Sequence, residues 1–203
     1  MRKKLIAANW KMHKTIPETQ AFVKTFLPLV GGAADREVVL GVPFTALAAA
    51  ATLLRGTGVG LAAQNLYPEE KGAFTGEIGP VMLVDAGCTH VIVGHSERRQ
   101  YFGETDAFIN RKVKAAFAHN LIPIVCVGER LEEREQNRTM QVLETQVAGS
   151  LAGLDAAAAS TVVVAYEPVW AIGTGKVATP QQAQEAHAFI RRQFARHYGE
   201  AAA

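Results

Sequence analysis

Cysteine is scarce, long apolar runs are missing, and neither sign of charge dominates. Only two cysteines, Cys88 and Cys126, occur in 203 residues. They lie in apolar surroundings without Cys-x-x-Cys spacing, which fits buried thiols in a reducing cytoplasm rather than a disulfide framework. No apolar run approaches the ~20 residues that a membrane span requires. The start, MRKKLIAANWK, is basic and then apolar, but its apolar part is too short for a secretory signal and runs into Lys11. The formal net charge of +2 argues for neither a nucleic-acid nor a membrane partner. Metal-ligand spacing is missing too. His90 and His95 are five apart, so on a strand they point to opposite faces, and no other His, Cys or Asp cluster has the spacing of a metal site. The chain also lacks linkers, low-complexity tracts and strict internal repeats.

What is present is a regular alternation. The length suits one domain, 1–203, with a sizeable core. Six short apolar runs recur: LIAAN, VVLGVP, VGLAAQ, HVIVG, LIPIVCVG and TVVVAY. They are continuous rather than alternating, as expected of strands buried on both faces. Amphipathic segments lie between most of them. Ile109, Val113 and Phe117 share one helical face, and Ala186, Ile190 and Phe194 share another. Thr15 with Glu18, and Thr179-Pro180 with Gln182, read as helix-starting capping boxes. Strands alternating with helices predict βαβ units and a parallel sheet.

Polar residues gather where these runs end. Asn9 and Lys11 follow the first run, Gln64 and Asn65 the third, His95, Ser96 and Glu97 the fourth, Glu129 the fifth and Glu167 the sixth. In a parallel sheet these ends point one way, and in a closed (β/α) barrel they converge on the mouth where such barrels do chemistry. Gln64, Asn65 and Glu129 are equally compatible with strand ends that merely meet water.

The stretch AYEPVWAIGTGK at 165–176 has the look of a phosphate loop but not its spacing. A Walker A loop would need glycine at Trp170 and a hydroxyl at Val177. A dinucleotide fingerprint must join a strand directly to a helix, whereas here the strand ends near Tyr166. Gly94-His95-Ser96-Glu97-Arg98 lacks the second glycine of a nucleophile elbow. A mobile lid fits better, with Glu167 at its root, a stiff Pro168-Val169-Trp170 hinge and a small flexible tip. One ammonium, one imidazole and one free carboxylate then suit acid–base work on an anionic substrate. Glu167 takes a proton from carbon, His95 polarises a carbonyl, Lys11 neutralises negative charge, and the lid excludes water. That is the outline of an enolising isomerase.

The same residues carry a resemblance. Asn9-Trp10-Lys11, Ala63-Gln64-Asn65, Gly72-Ala73-Phe74-Thr75-Gly76-Glu77, Gly94 to Arg99, Pro123 to Glu129 and Tyr166 to Lys176 come in order along the whole chain. Together they resemble the triosephosphate isomerase family. The resemblance implies a (β/α)8 TIM barrel and the interconversion of dihydroxyacetone phosphate and D-glyceraldehyde 3-phosphate in glycolysis and gluconeogenesis, without metal or organic cofactor. It implies Glu167 as the base, and His95 as a neutral electrophile at the start of a helix near Ser96. It further implies Asn9 and Lys11 as substrate-binding residues, Lys11 being catalytic as well, Ser96 and Glu97 as supporting residues, Glu97 for Lys11, and Gly173 as a backbone donor to phosphate. The lid would run through Pro168, Val169, Trp170, Ala171, Ile172, Gly173, Thr174, Gly175 and Lys176, with a second hinge at Lys176-Val177-Ala178. The patternless stretch 65–79 would dock into a second subunit through Thr75, giving a cytoplasmic homodimer.

The chain departs from the family at its end. A barrel of this kind has eight strands in about 250 residues, whereas only about six βα units are legible here. Either the sequence is an incomplete piece of a normal enzyme or the chain is a genuine fragment; a genuine fragment would lack the last two strands and their glycine-rich phosphate loops, leaving the first and sixth strands as open edges. Two readings stay open for the chain as it stands: an isomerase, or an inactive or weakly active remnant that binds phosphoanions or dimerises. Expressed alone, it is expected to be poorly folded and poorly active. Another phosphosugar barrel enzyme is a further alternative.

Overall fold

The computed structural model describes residues 3–32 and 34–203; the first two residues of the basic start lie outside the described residues. The chain divides into two compact units. The first runs to Ile92 and includes Ala118–Ile122; the second comprises Val93–Phe117 and Pro123–Ala203.

In the first unit the order is β1 (Lys4–Asn9), α1 (Ile16–Val30), β2 (Arg36–Val42), α2 (Leu47–Leu54), β3 (Val59–Ala63), α3 (Pro80–Asp85) and the start of β4 (His90–Val93). The strands pair in parallel and in chain order, with Asn9 opposite Gly41, Val42 opposite Ala63, and Ala62 opposite His90. The second unit carries α4 (Ser96–Phe102), α5 (Asp106–Ala118), β5 (Ile122–Val127), α6 (Leu131–Glu135), α7 (Thr139–Ser150), α8 (Ala156–Thr161), β6 (Val163–Tyr166) and α9 (Pro180–Tyr198). There β5 and β6 are parallel, with Val127 opposite Tyr166. All six apolar runs are strands.

The helix starts follow the predicted chemistry. The Thr15 N–H donates to Glu18 Oε2 at 2.7 Å. At α9 the box is reciprocal: the Thr179 N–H donates to Gln182 Oε1 and the Gln182 N–H to Thr179 Oγ1. Each such bond satisfies a donor that helix geometry leaves orphaned. Ile109, Val113, Ala186, Ile190 and Phe194 are buried, as their 3.6-residue spacing requires.

Burial separates the strands, however. Nearly all of β2, β4 and β5 is buried, while β1 alternates between exposed and half-buried residues, with Ile6 54% exposed. A continuous apolar run therefore predicted the strand but not its cover: among the described residues of the first unit β1 pairs with β2 alone. The patternless stretch lacks helix and strand as expected, yet it closes on itself. The Tyr67 N–H donates to the Ile78 carbonyl at 2.8 Å, and the Tyr67 and Phe74 rings lie 4.4 Å apart. Among the described residues no helix is long and apolar enough to cross a membrane.

Candidate functional site

In the first unit, the carboxyl end of β1 is shaped by a side chain. Asn9 Oδ1 accepts the Lys11 N–H at 3.0 Å, and Lys11 holds φ at +53°. Few residues without a glycine's freedom adopt that left-handed conformation, and those that do cluster at functional sites. The ends of three strands meet at one carbonyl, that of Gly41, which accepts both the Trp10 N–H and the Gln64 side-chain amide at 2.9 Å. Gln64 thus ties β3 to β2 where Asn9 and Lys11 leave β1, and Asn65 beside it is buried. Thr75 is exposed in the turn of the 65–79 stretch.

In the second unit, Gly94 turns the chain out of β4 with φ at +71°, and a side chain there would press on Ile109. Arg99 braces this turn: its Nε donates to the Gly94 carbonyl at 2.8 Å and its Nη1 to Asp106 at 2.5 Å. His95 then caps α4, its Nδ1 accepting the Glu97 N–H at 3.3 Å. A backbone amide can only donate, so in the neutral ring the proton sits on Nε2. Nε2 faces Glu167 Oε2 at 3.2 Å, where an N–H is favourable and a bare lone pair is not. The Glu97 carboxylate also lies 3.4 Å from Nδ1, but its side chain is more than a third exposed, so water screens it and the fixed amide sets the tautomer.

Glu167 follows β6, its N–H bonded to the Val127 carbonyl at 2.9 Å. Its carboxylate accepts the Ser96 N–H at 2.7 Å and the Ser96 hydroxyl at 2.9 Å. The structure therefore brings His95, Ser96 and Glu167 into one cluster. An imidazole N–H and a carboxylate face each other, groups able to polarise an oxygen and to take a proton.

The stretch from Pro168 to Lys176 has a firm root and an open tip. Trp170 is buried in a short 3-10 turn, Val169–Ala171, and its Nε1 donates to Glu129 at 2.8 Å. The Glu129 carboxylate, fully buried, also receives the Tyr166 hydroxyl at 3.0 Å and Arg134 at 3.0 Å. The Arg134 guanidinium lies over the Trp170 ring, 4.8 Å from its centre. Burial, then the neighbouring Glu129 charge, pushes the Tyr166 phenol above its ordinary range. The Cys126 thiol is likewise pushed up, first by burial and then by the Glu167 charge. Beyond the root, the Thr174 hydroxyl donates to the Trp170 carbonyl at 2.8 Å, while Gly173 and Gly175 adopt φ of +68° and +75° with open space where a side chain would stand. Val177 is 83% exposed.

Comparison with known proteins gives this geometry a lineage. The family model described as triosephosphate isomerase matches residues 4–203. The chain belongs to the triosephosphate isomerase family. A triosephosphate isomerase of Citrifermentans bemidjiense is 56% identical over 203 residues, covering all of this chain and 81% of the relative. One of Syntrophotalea carbinolica is 58% identical over 191 residues, covering 94% of this chain and 76% of the relative. The crystal structure of triosephosphate isomerase from Bartonella henselae superposes with a TM-score of 0.86 at 37% identity, covering 99% of this chain and 79% of that one. The fold class is accordingly α/β, with six parallel strands of the TIM-barrel fold.

Within this triosephosphate isomerase framework, two features escaped the sequence reading. Ser96 was singled out only as a supporting residue, yet it makes both hydrogen bonds that hold the Glu167 carboxylate. Glu129 is equally compatible in sequence with a strand end that merely meets water, yet it is the buried acceptor at the root of the 168–176 stretch. A carboxylate closing an apolar run and followed by Arg134 and Trp170 was the available signal.

Proposed function

We propose that the protein is a triose-phosphate isomerase, interconverting dihydroxyacetone phosphate and D-glyceraldehyde 3-phosphate through an enediolate. The observation that carries this reading is the facing pair of His95 Nε2 and Glu167 Oε2, 3.2 Å apart. In the proposed reaction the Glu167 carboxylate removes a proton from the carbon next to the carbonyl. The electron pair moves onto the carbonyl oxygen, where the His95 Nε2–H stabilises it. A proton then passes between the two oxygens through His95 Nε2, so that the first oxygen becomes a hydroxyl and the second is freed to form the new carbonyl, and protonated Glu167 returns its proton to the neighbouring carbon, which exchanges ketone for aldehyde. Before this, Glu167 must leave its bonds to Ser96, because a carboxylate saturated by donors is a poor base.

Asn9 and Lys11 bind the substrate in this reading, and Glu97 is a supporting residue. The Gly173 N–H meets the phosphate when the lid, Pro168 to Lys176, closes on hinges at Pro168-Val169-Trp170 and Lys176-Val177-Ala178. The chemistry asks for no metal or organic cofactor. The protein works in the cytoplasm as a homodimer through the Thr75 loop, where the half-exposed Phe74 offers apolar surface; sedimentation gives its mass. A coupled turnover assay tests the central claim. Glu167→Asp withdraws the carboxylate by about one methylene, and kcat should fall ~100-fold or more. An unchanged kcat would remove Glu167 from the mechanism.

A further inference from the structure

We propose that Gln146, on α7, is a positioning residue for Glu167 and acts through the Gly128 peptide; this rests on the reading of Glu167 as the base. The Gln146 side-chain amide makes two bonds to one residue. Its Oε1 accepts the Gly128 N–H at 2.8 Å, and its Nε2 donates to the Gly128 carbonyl at 3.1 Å. In extended backbone the N–H and C=O of one residue point to the same side, so a neighbouring strand normally serves both. Gly128 lies just past the last residue of β5, and here a single primary amide takes that place.

The position of Gly128 matters because Glu167 rests on it. The Glu167 N–H is bonded to the Val127 carbonyl, and the Val169 N–H to the Glu129 carbonyl at 3.1 Å. Between these two bonds the main chain of Glu167 lies directly on Gly128, so closely that a Cβ at 128 would run into the Glu167 carbonyl oxygen. Any shift of the Gly128 peptide is therefore passed to the base by contact, with no soft side chain between to absorb it. The clamp is also replaceable as far as hydrogen bonding goes. Gln146 is half-buried and, with Ser96, Val169 and Trp170, lines a hollow of about 630 Å³. Water in that hollow can satisfy the Gly128 groups, but it cannot fix their position. Loss of Gln146 should thus affect geometry more than stability, and catalysis is sensitive to shifts well below 1 Å.

The test uses the whole protein with Gln146→Leu, close in volume but without polar atoms, and Gln146→Glu, which keeps an acceptor for the Gly128 N–H. Gln146→Leu should lower kcat ~10-fold while KM stays within about twofold, with Gln146→Glu between it and the parent. Crystal structures of parent and Gln146→Leu should show the Glu167 main chain displaced by about 0.5 Å. A Gln146→Leu enzyme with unchanged kcat, or a drop in kcat with Glu167 unmoved, would overturn the proposal. A parent without triose phosphate turnover would overturn the isomerase reading instead. The positioning of Glu167 would then be decided by the displacement alone, which supports it if present and refutes it if absent.

Discussion

Glu129 and Glu167 both follow a strand at its carboxyl end, Glu129 after β5 and Glu167 after β6, and β5 and β6 pair in register. Their surroundings could hardly differ more. Glu129 is sealed from water and held by an indole, a phenol and a guanidinium from residues 170, 166 and 134. Glu167 is held by a single residue, Ser96, and faces one imidazole. Three donors on separate side chains fix a carboxylate; two donors on one serine hold it only until something better arrives. A buried charge with a full set of partners is a structural part, while a charge with one releasable partner and a poised acid beside it is a chemical one.

The largest effect expected from this contrast is in turnover. Glu167→Gln removes the proposed base but leaves a side chain of the same shape. General-base catalysis supplies ~10²–10⁴-fold, and kcat should fall by roughly that factor. The melting temperature should hardly move, since an amide can re-pair with Ser96. A large loss of stability in Glu167→Gln would erase the distinction between the two glutamates.

Glu129→Gln should give the opposite pattern. The Trp170 and Tyr166 donors keep a weaker acceptor, while Arg134 loses its counter-charge. Hydrogen bonds to a charged group contribute about 1.5–3 kcal/mol each, and an uncompensated cation adds to the loss. Unfolding free energy should drop by about 3 kcal/mol, visible as a lower denaturant midpoint. The kcat should fall less than in Glu167→Gln, through a loosened 168–176 stretch rather than a missing proposed base. Equal kcat losses in the two variants would mean that Glu129 takes part in the chemistry.

The contrast also marks how far the sequence could be read. All six strands were legible as continuous apolar runs, whether or not the strand is buried, and the capping boxes of α1 and α9 because their chemistry is local. The cluster of His95 and Glu167 was legible because strand ends in a parallel sheet share a direction. What stayed hidden depends on partners far apart in the chain. The acceptor role of Glu129 needs residues 5, 37 and 41 positions away. The Gln146 clamp on Gly128 joins a mid-helix side chain to a strand end 18 residues earlier, with no periodicity to announce it. The exposure of β1 was equally invisible in the run LIAAN, since apolar residues report that a strand forms and not what covers it.

The smallest effect is the most specific test of the sealed site. Tyr166→Phe removes one of the three donors to Glu129 and nothing else. At neutral pH it should cost about 1.5 kcal/mol, the low end for a hydrogen bond to a charged group, because the tyrosine is only half-buried. The sign of the pH dependence follows from the direction of the shift. The folded protein holds the Tyr166 proton more tightly than the unfolded chain does, because burial and the Glu129 charge both oppose a phenolate. The stability that this phenol contributes is therefore complete below the unfolded tyrosine range near pH 10, and is lost as pH rises beyond it. The stability gap between parent and Tyr166→Phe should narrow above pH 10. Tyr198 and Cys88, whose protons are also held by burial, titrate in both proteins and cancel in the difference. Denaturant melts of the pair at pH 7.5, 9.5 and 10.5 measure it. A gap that stays constant through this range would show that the Tyr166 hydroxyl does not sit against an ionised Glu129.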